Sequence, residues 1–277
     1  MAWHGHLTLD YRLDAEGRTT AHDRHEGPLR VLQRLYPEGP AVCHHVLVHP
    51  PGGIVGGDTL DLDIRLAGAS HALITTPSAT RFYRSAGETA VQSVRARLDA
   101  GARLEWLPLE AIVYDAALAE NRQCFELAPG AEMIGWDIAA LGLPGAGKPF
   151  TRGSYLQQLE LPGRWLERGR IDGGDRALLD SPLGFAGHTV LATMWFAGGQ
   201  DLPAARREAL LDAARQCCAG HPLAASAGAT APQDSTVVLR LLAGRVEPAA
   251  ELLVQVWREW RRIAWDLAPC PPRIWRT

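Results

Sequence analysis

Leu98-Asp99-Ala100-Gly101-Ala102 closes one apolar stretch and opens the next through a glycine, the residue that takes the positive φ of a tight turn without strain. The same form recurs at Leu66-Ala67-Gly68-Ala69, Leu127-Ala128-Pro129-Gly130-Ala131 and Leu161-Pro162-Gly163-Arg164. The glycines at 68, 101, 130 and 163 are spaced by 33, 29 and 33 residues. That interval predicts a mainly β fold, an elongated stack of long strands of β-solenoid or sandwich-like form built from a repeated strand–turn–strand unit. Turns of an ordinary β-sandwich fit the same spacing.

Outward from these turns the pattern agrees. Leu7, Leu9, Tyr11 and Leu13 alternate with polar residues, as do Leu60, Leu62, Ile64 and Leu66, the mark of half-buried strands. Helix is expected only in the C-terminal quarter. Asp201 caps a first segment with Leu202, Ala205, Ala209, Ala213 and Cys217 on one face, ending at Gly220. After a loop over 224–232 and a strand over 236–242, Pro248 opens a second helix. Leu252, Leu253, Val256, Trp257, Trp260, Ile263, Ala264 and Leu267 line one face of it, with Glu251, Arg258, Arg261 and Arg262 on the other. The chain reads as a single domain over 1–277, with a β body at 1–196 and a helix-containing part at 197–277.

With 277 residues, 47% of them hydrophobic, the chain can bury a large core. Basic and acidic residues number 28 and 31, a formal net charge of −3 without long like-charged blocks, which argues against nucleic acid as a partner. No run approaches the ~20 apolar residues of a membrane span, and no secretory leader is evident. Cys43, Cys124, Cys217, Cys218 and Cys270 have no disulfide-framework spacing. A cytoplasmic protein with reduced thiols is expected.

Several motifs carry chemistry. In His49-Pro50-Pro51-Gly52-Gly53-Ile54-Val55-Gly56-Gly57-Asp58 four glycines permit close backbone approach, and Asp58 either reaches a cation or closes an Asx-turn. Gly142-Leu143-Pro144-Gly145-Ala146-Gly147-Lys148-Pro149 approaches a phosphate-binding loop, but Pro149 replaces the required hydroxyl and no helix follows. We read it as a loop without nucleotide chemistry. Cys43, His44, His45 and His49 offer ligand types that suit nickel or zinc, without the spacing of a closed site. Arg81-Phe82-Tyr83-Arg84 either holds an acidic partner or guards a strand edge. Asp137 lies in an apolar stretch and needs a buried partner. Trp257 and Trp260 are either core or partner anchors.

Taken together, the His49–Asp58 string, Thr75-Thr76-Pro77-Ser78-Ala79-Thr80-Arg81-Phe82-Tyr83-Arg84-Ser85 and Leu104-Glu105-Trp106-Leu107-Pro108-Leu109-Glu110 resemble the urease accessory protein UreD (UreH) family, from Leu7 to about Trp195. The resemblance implies a mainly β, non-catalytic scaffold that binds UreF, through it the GTPase UreG, and the urease apoprotein. It implies transient nickel with no tightly bound cofactor. Matched by motif, Asp58, Thr80, Asp137 and Glu167 line the implied nickel route, whose carboxylates must bind weakly enough to release the ion. The family pattern differs around Gly142-Leu143 and Gly147-Lys148, so no metal role is assigned there. Partner contacts are expected at Trp257, Trp260, Arg81 and Arg84. Two rival readings are a metalloenzyme using Cys43, His44, His45 and Asp58, and a purely structural solenoid.

Overall fold

The computed structural model describes residues 2–276. In chain order the strands begin with β1 (His4–Leu13), β2 (Thr19–Glu26), β3 (Arg30–Val31), β4 (Val42–Val48), β5 (Thr59–Leu66) and β6 (His71–Thr75). They continue as β7 (Thr80–Phe82), β8 (Ala90–Leu98), β9 (Arg103–Trp106), β10 (Ala111–Val113), β11 (Ala117–Leu127) and β12 (Glu132–Leu141). The last are β13 (Gly153–Leu161), β14 (Trp165–Asp172), β15 (Val190–Gly198), β16 (Ala227–Gln233) and β17 (Thr236–Ala243). The helices are α1 (Arg176–Asp180), α2 (Ala204–Ala219) and α3 (Val246–Trp265).

Two sheets and a helical layer stack face to face. The outer sheet runs β14-β13-β11-β8-β5-β1-β2, and the inner sheet β16-β17-β15-β12-β9-β6-β4-β3. From β1 through β5, β8 and β11 to β13 the outer strands pair in parallel, as do β4, β6, β9 and β12 of the inner sheet. Successive chain segments thus alternate between sheets and stack as solenoid coils.

The outer sheet has one buried face, so β5 alternates with Leu60, Leu62, Ile64 and Leu66 inward. The inner sheet is covered on both faces, so every residue from 133 to 141 in β12 is buried. Apart from Asp137 this is the apolar run that double coverage demands. One core fills the space between the sheets, and a second lies between the inner sheet and α2 and α3.

The corners explain the repeat. Ser70 N donates to Ala67 O (3.1 Å), Ala102 N to Asp99 O (3.0 Å) and Ala131 N to Ala128 O (2.9 Å). The third residue of each turn has positive φ: Ala69 at 59°, Gly101 at 77° and Gly130 at 82°. The repeat therefore aligns on Ala69, not Gly68. The fourth turn, at Gly163, differs in kind. It joins β13 to β14 as an antiparallel hairpin within the outer sheet, so three of the four glycine motifs are solenoid corners.

The two long helices lie where expected, and α1 was not foreseen. On α2 the buried face holds Leu210, Ala214 and Cys218, one residue round from the expected face. With alanine on every side, the bulk of Leu210 sets the orientation, and the N-cap is Pro203 without a side-chain bond. Arg261 of α3, expected on the solvent face, is completely buried. The expected loop over 224–232 contains β16, an edge strand whose free side tolerates Pro232. Among the described residues no helix is long and apolar enough to cross a membrane.

Candidate functional site

Parallel stacking repeats a position from strand to strand, and at one level the repeated side chain is polar. Gln92, Asn121 and Gln157 are in register across β8, β11 and β13. Asp137 of β12 faces them from the inner sheet, beside its register partner Thr193 of β15. Oδ1 of Asp137 accepts from Asn121 Nδ2 (2.9 Å) and Gln123 Nε2 (2.6 Å), and Oδ2 from Gln157 Nε2 (2.6 Å). Each of these side chains is buried, so the carboxylate has the partners that its burial requires.

Burial raises the pKa of Asp137 against the three amides, which favour the ionised form. An amide can also turn its carbonyl oxygen toward a cation. One carboxylate with three amides is thus a hard-oxygen environment of low charge, suited to brief contact with a divalent ion. The nearby Tyr155 hydroxyl is buried beside Asp137 and Asn121.

The row reaches the surface region at both ends. At one end Gln92 Nε2 donates to Asn121 Oδ1 (3.3 Å), and Trp106 Nε1 to Gln123 Oε1 (2.9 Å). Gln92 and Trp106 also line a cavity of about 320 Å³ together with His49, Ser78, Thr80 and Arg81. At the other end Thr193 Oγ1 donates to Glu167 Oε1 (2.8 Å) and Arg240 Nε to Glu167 Oε2 (2.5 Å). Thr80, Asp137 and Glu167, far apart in sequence, therefore lie along one polar line through the apolar core.

Asp58 has another setting. Its Oδ1 accepts from Trp3 N (2.7 Å) and its Oδ2 from Val55 N (3.1 Å), so it closes the glycine-rich loop from behind and ties it to the start of β1, and it does not form the Asx-turn, which would reach two residues ahead. Desolvation lowers the pKa of His49 in the cavity wall, with the Asp58 charge opposing that shift. The Arg81–Arg84 string divides: Arg81 lines the cavity, and Arg84 faces a separate concavity beyond Tyr83.

Trp257 and Trp260 need correction as partner anchors. Both are 0% exposed, with Nε1 bonded to Glu105 Oε2 (2.6 Å) and Leu210 O (2.8 Å). They hold α3 to the inner sheet and to α2, and no partner reaches them while the helix stays packed.

The metalloenzyme ligand set also fails to assemble. Strand alternation sends Cys43 and His45 into the core between the sheets, where His45 Nδ1 meets Tyr11 Oη at 2.6 Å, and turns His44 the other way onto Glu38. Asp58 is occupied by backbone N–H groups. Among the described residues no three His, Cys, Asp or Glu side chains converge as a metal site. In the phosphate-loop look-alike, Leu143 and Lys148 pair as a small hairpin and β13 follows in place of a helix.

A second buried polar group escaped the sequence. Glu105 and Arg261, both 0% exposed, lie 3.3 Å apart. Glu105 Oε1 is 2.8 Å from His71 Nε2, while Arg261 Nη2 donates to Glu38 Oε2 (2.7 Å). The signal for Glu105 was the one that singled out Asp137, a carboxylate inside an apolar run. Arg261 gave none.

Comparison with known proteins bears on all of this. The family model described as UreD urease accessory protein matches residues 4–276. The chain is 68% identical over 278 residues to a protein of Leptothrix cholodnii named urease accessory protein UreD, with 100% of both chains covered. Proteins of the same name from Variovorax paradoxus and Polaromonas sp. are 62% and 58% identical, with 100% and 99% of each chain covered.

Proposed function

This chain belongs to the UreD family of urease accessory proteins, and from that premise we propose that it is a non-catalytic, cytoplasmic scaffold that helps deliver nickel to urease. In this reading it works in a complex with UreF and, through UreF, with UreG, and bridges them to the urease apoprotein. GTP hydrolysis belongs to UreG. Nickel is cargo and is held only in passing.

The observation that carries the reading is the polar row through the core, from the Thr80 cavity by way of Asp137 to Glu167. A divalent ion cannot cross an apolar core without oxygen ligands, and a single carboxylate with amides binds it weakly enough to let it leave. Rotation of Asn121, Gln123 and Gln157 would exchange N–H donors for carbonyl ligands as the ion arrives. Asp58 acts in this scheme by shaping the loop beside the entrance.

The test is nickel-dependent activation of urease in cells lacking this protein, supplied with wild type, Asp137→Asn or Asp137→Asn/Glu167→Gln. We expect wild type to restore activity and the double variant, folded and still bound to its partners, to restore less than ~10% of it, the loss given by ~1.4 kcal/mol at one step. Full restoration by the double variant would remove the interior route. Failure of wild type where a relative succeeds would remove the urease role.

A further inference from the structure

A concavity of about 570 Å³ lies outside the polar row, where the Val55 loop, Tyr83-Arg84, Tyr114-Asp115 and the Leu143–Arg152 segment meet. We propose that Arg84, Lys148 and Arg152, set around the Tyr83–Tyr114 pair, form a docking cradle for an acidic segment of a partner protein. The proposal rests on the chain's acting through protein partners and adds the chemistry by which one of them is held.

Charge is the first argument. The whole chain carries a formal −3, yet three cations line this concavity against one carboxylate, Asp115. That carboxylate is committed to the fold. It accepts from Thr151 N (2.8 Å), Arg152 N (2.9 Å), Thr151 Oγ1 (3.0 Å) and Arg152 Nη2 (2.9 Å). Among the described residues the side chains of Arg84 and Lys148 have no hydrogen-bonded or ion-paired partner, and both residues are exposed. Guanidinium forks suit carboxylates, and tyrosine rings cover the apolar stems of an acidic segment.

Packing and backbone hydrogen bonds hold the cradle in place. Tyr83 and Tyr114 pack with centroids 5.1 Å apart at 54°. A Cβ on Gly53 would lie 2.2 Å from a Tyr83 ring carbon, so the absent side chain is what lets that ring rest on the backbone. Lys148, the only lysine of the chain, is held by its hairpin: Leu143 N donates to Lys148 O (2.7 Å) and Lys148 N to Leu143 O (3.1 Å).

Phosphate recognition is disfavoured by the same hairpin. The N–H groups of Gly142, Leu143, Ala146, Gly147 and Lys148 all bond to backbone carbonyls, and Pro149 has none. Among the described residues this leaves the loop no run of adjacent free N–H groups for a phosphate.

The test uses the full chain and a fluorescein-labelled hexaglutamate peptide as probe, followed by anisotropy at low and high salt and then by carbodiimide coupling, which joins carboxylates to amines. We expect salt-sensitive binding, coupling at Lys148, and at least ~10-fold weaker binding in Arg84→Glu and in Lys148→Glu. Arg168→Glu/Arg170→Glu, on the β14 edge of the outer sheet, is expected to bind as wild type does. Coupling at the α-amino group alone, unchanged affinity in both cradle variants, or an equal loss in the β14 variant would overturn the proposal. Having two cradle variants guards against one that misfolds. Peptide binding is read without urease, so the cradle and the nickel route stand or fall separately.

Discussion

Trp257 Nε1 donates to Glu105 Oε2 at 2.6 Å, tying α3 to β9 across 152 residues of sequence. The same carboxylate lies 3.3 Å from Arg261 Nε and bonds His71 through its other oxygen, so it shares with Glu38 the neutralisation of a buried guanidinium and also satisfies an indole. Removing one partner of a buried ion pair strands the other charge. Glu105→Gln is expected to cost about 3–5 kcal/mol, more than truncating a surface carboxylate such as Glu251. Urea denaturation of the two variants decides it, and a loss below ~1 kcal/mol for Glu105→Gln would show that Glu38 alone suffices for Arg261.

His45 predicts how stability depends on acidity. Burial, then the charge of Arg34, pushes its imidazole down to about 4 from 6.5, against the opposing charge of Asp23. The unfolded chain takes a proton at this residue below pH 6.5, and the folded chain does not until about pH 4. Stability is therefore intact above 6.5 and falls by roughly 3 kcal/mol as pH drops from 6.5 to 4. In His45→Gln that part of the slope should vanish. An unchanged pH profile of the melting temperature would assign the loss to other groups.

Ala69 holds a backbone that its counterparts leave to glycine. Its φ of 59° matches Gly101 and Gly130, and a left-handed residue with a Cβ costs about 1–2 kcal/mol. Glycine's extra freedom in the unfolded chain takes back about 0.4–1 kcal/mol. Ala69→Gly should thus stabilise by about 0.5 kcal/mol, and Gly130→Ala should destabilise by a similar or larger amount. A Cβ on Gly130 would meet nothing closer than 3.7 Å, so crowding does not confound the comparison. Equal midpoints for all three proteins in denaturant would contradict it.

Gly53 and Tyr83 should be energetically coupled. Gly53→Ala forces the ring off the loop and is expected to cost about 1–3 kcal/mol. In a Tyr83→Ala background the same change should be nearly neutral, a coupling of about 0.5–3 kcal/mol. Simple additivity would mean that the loop moves instead of the ring.

Much of the β body was legible in residue order because a strand buried on one face must alternate. β1 and β5 do so, and the turn-forming glycines marked the corners to within one position. The polar row was half legible. Asp137 stood out as a carboxylate in an apolar run, but its partners Asn121, Gln123 and Gln157 looked like ordinary polar residues of alternating strands. Alternation tells which residues share a face, not whether that face meets water or another sheet.

By itself the sequence determined the strand-and-corner repeat, the two late helices and, through three motif strings, the family. Only the tertiary structure decided that the Gly163 turn is a hairpin while the other three are coil corners, that Trp257 and Trp260 are core, and that Asp58 closes the glycine-rich loop while Asp137 faces three amides. The physical reason is common to these cases. Local backbone preference and periodicity act over a few residues, whereas the partner of a buried charge or ring is chosen by which strands stack, and stacking joins residues tens to hundreds of positions apart.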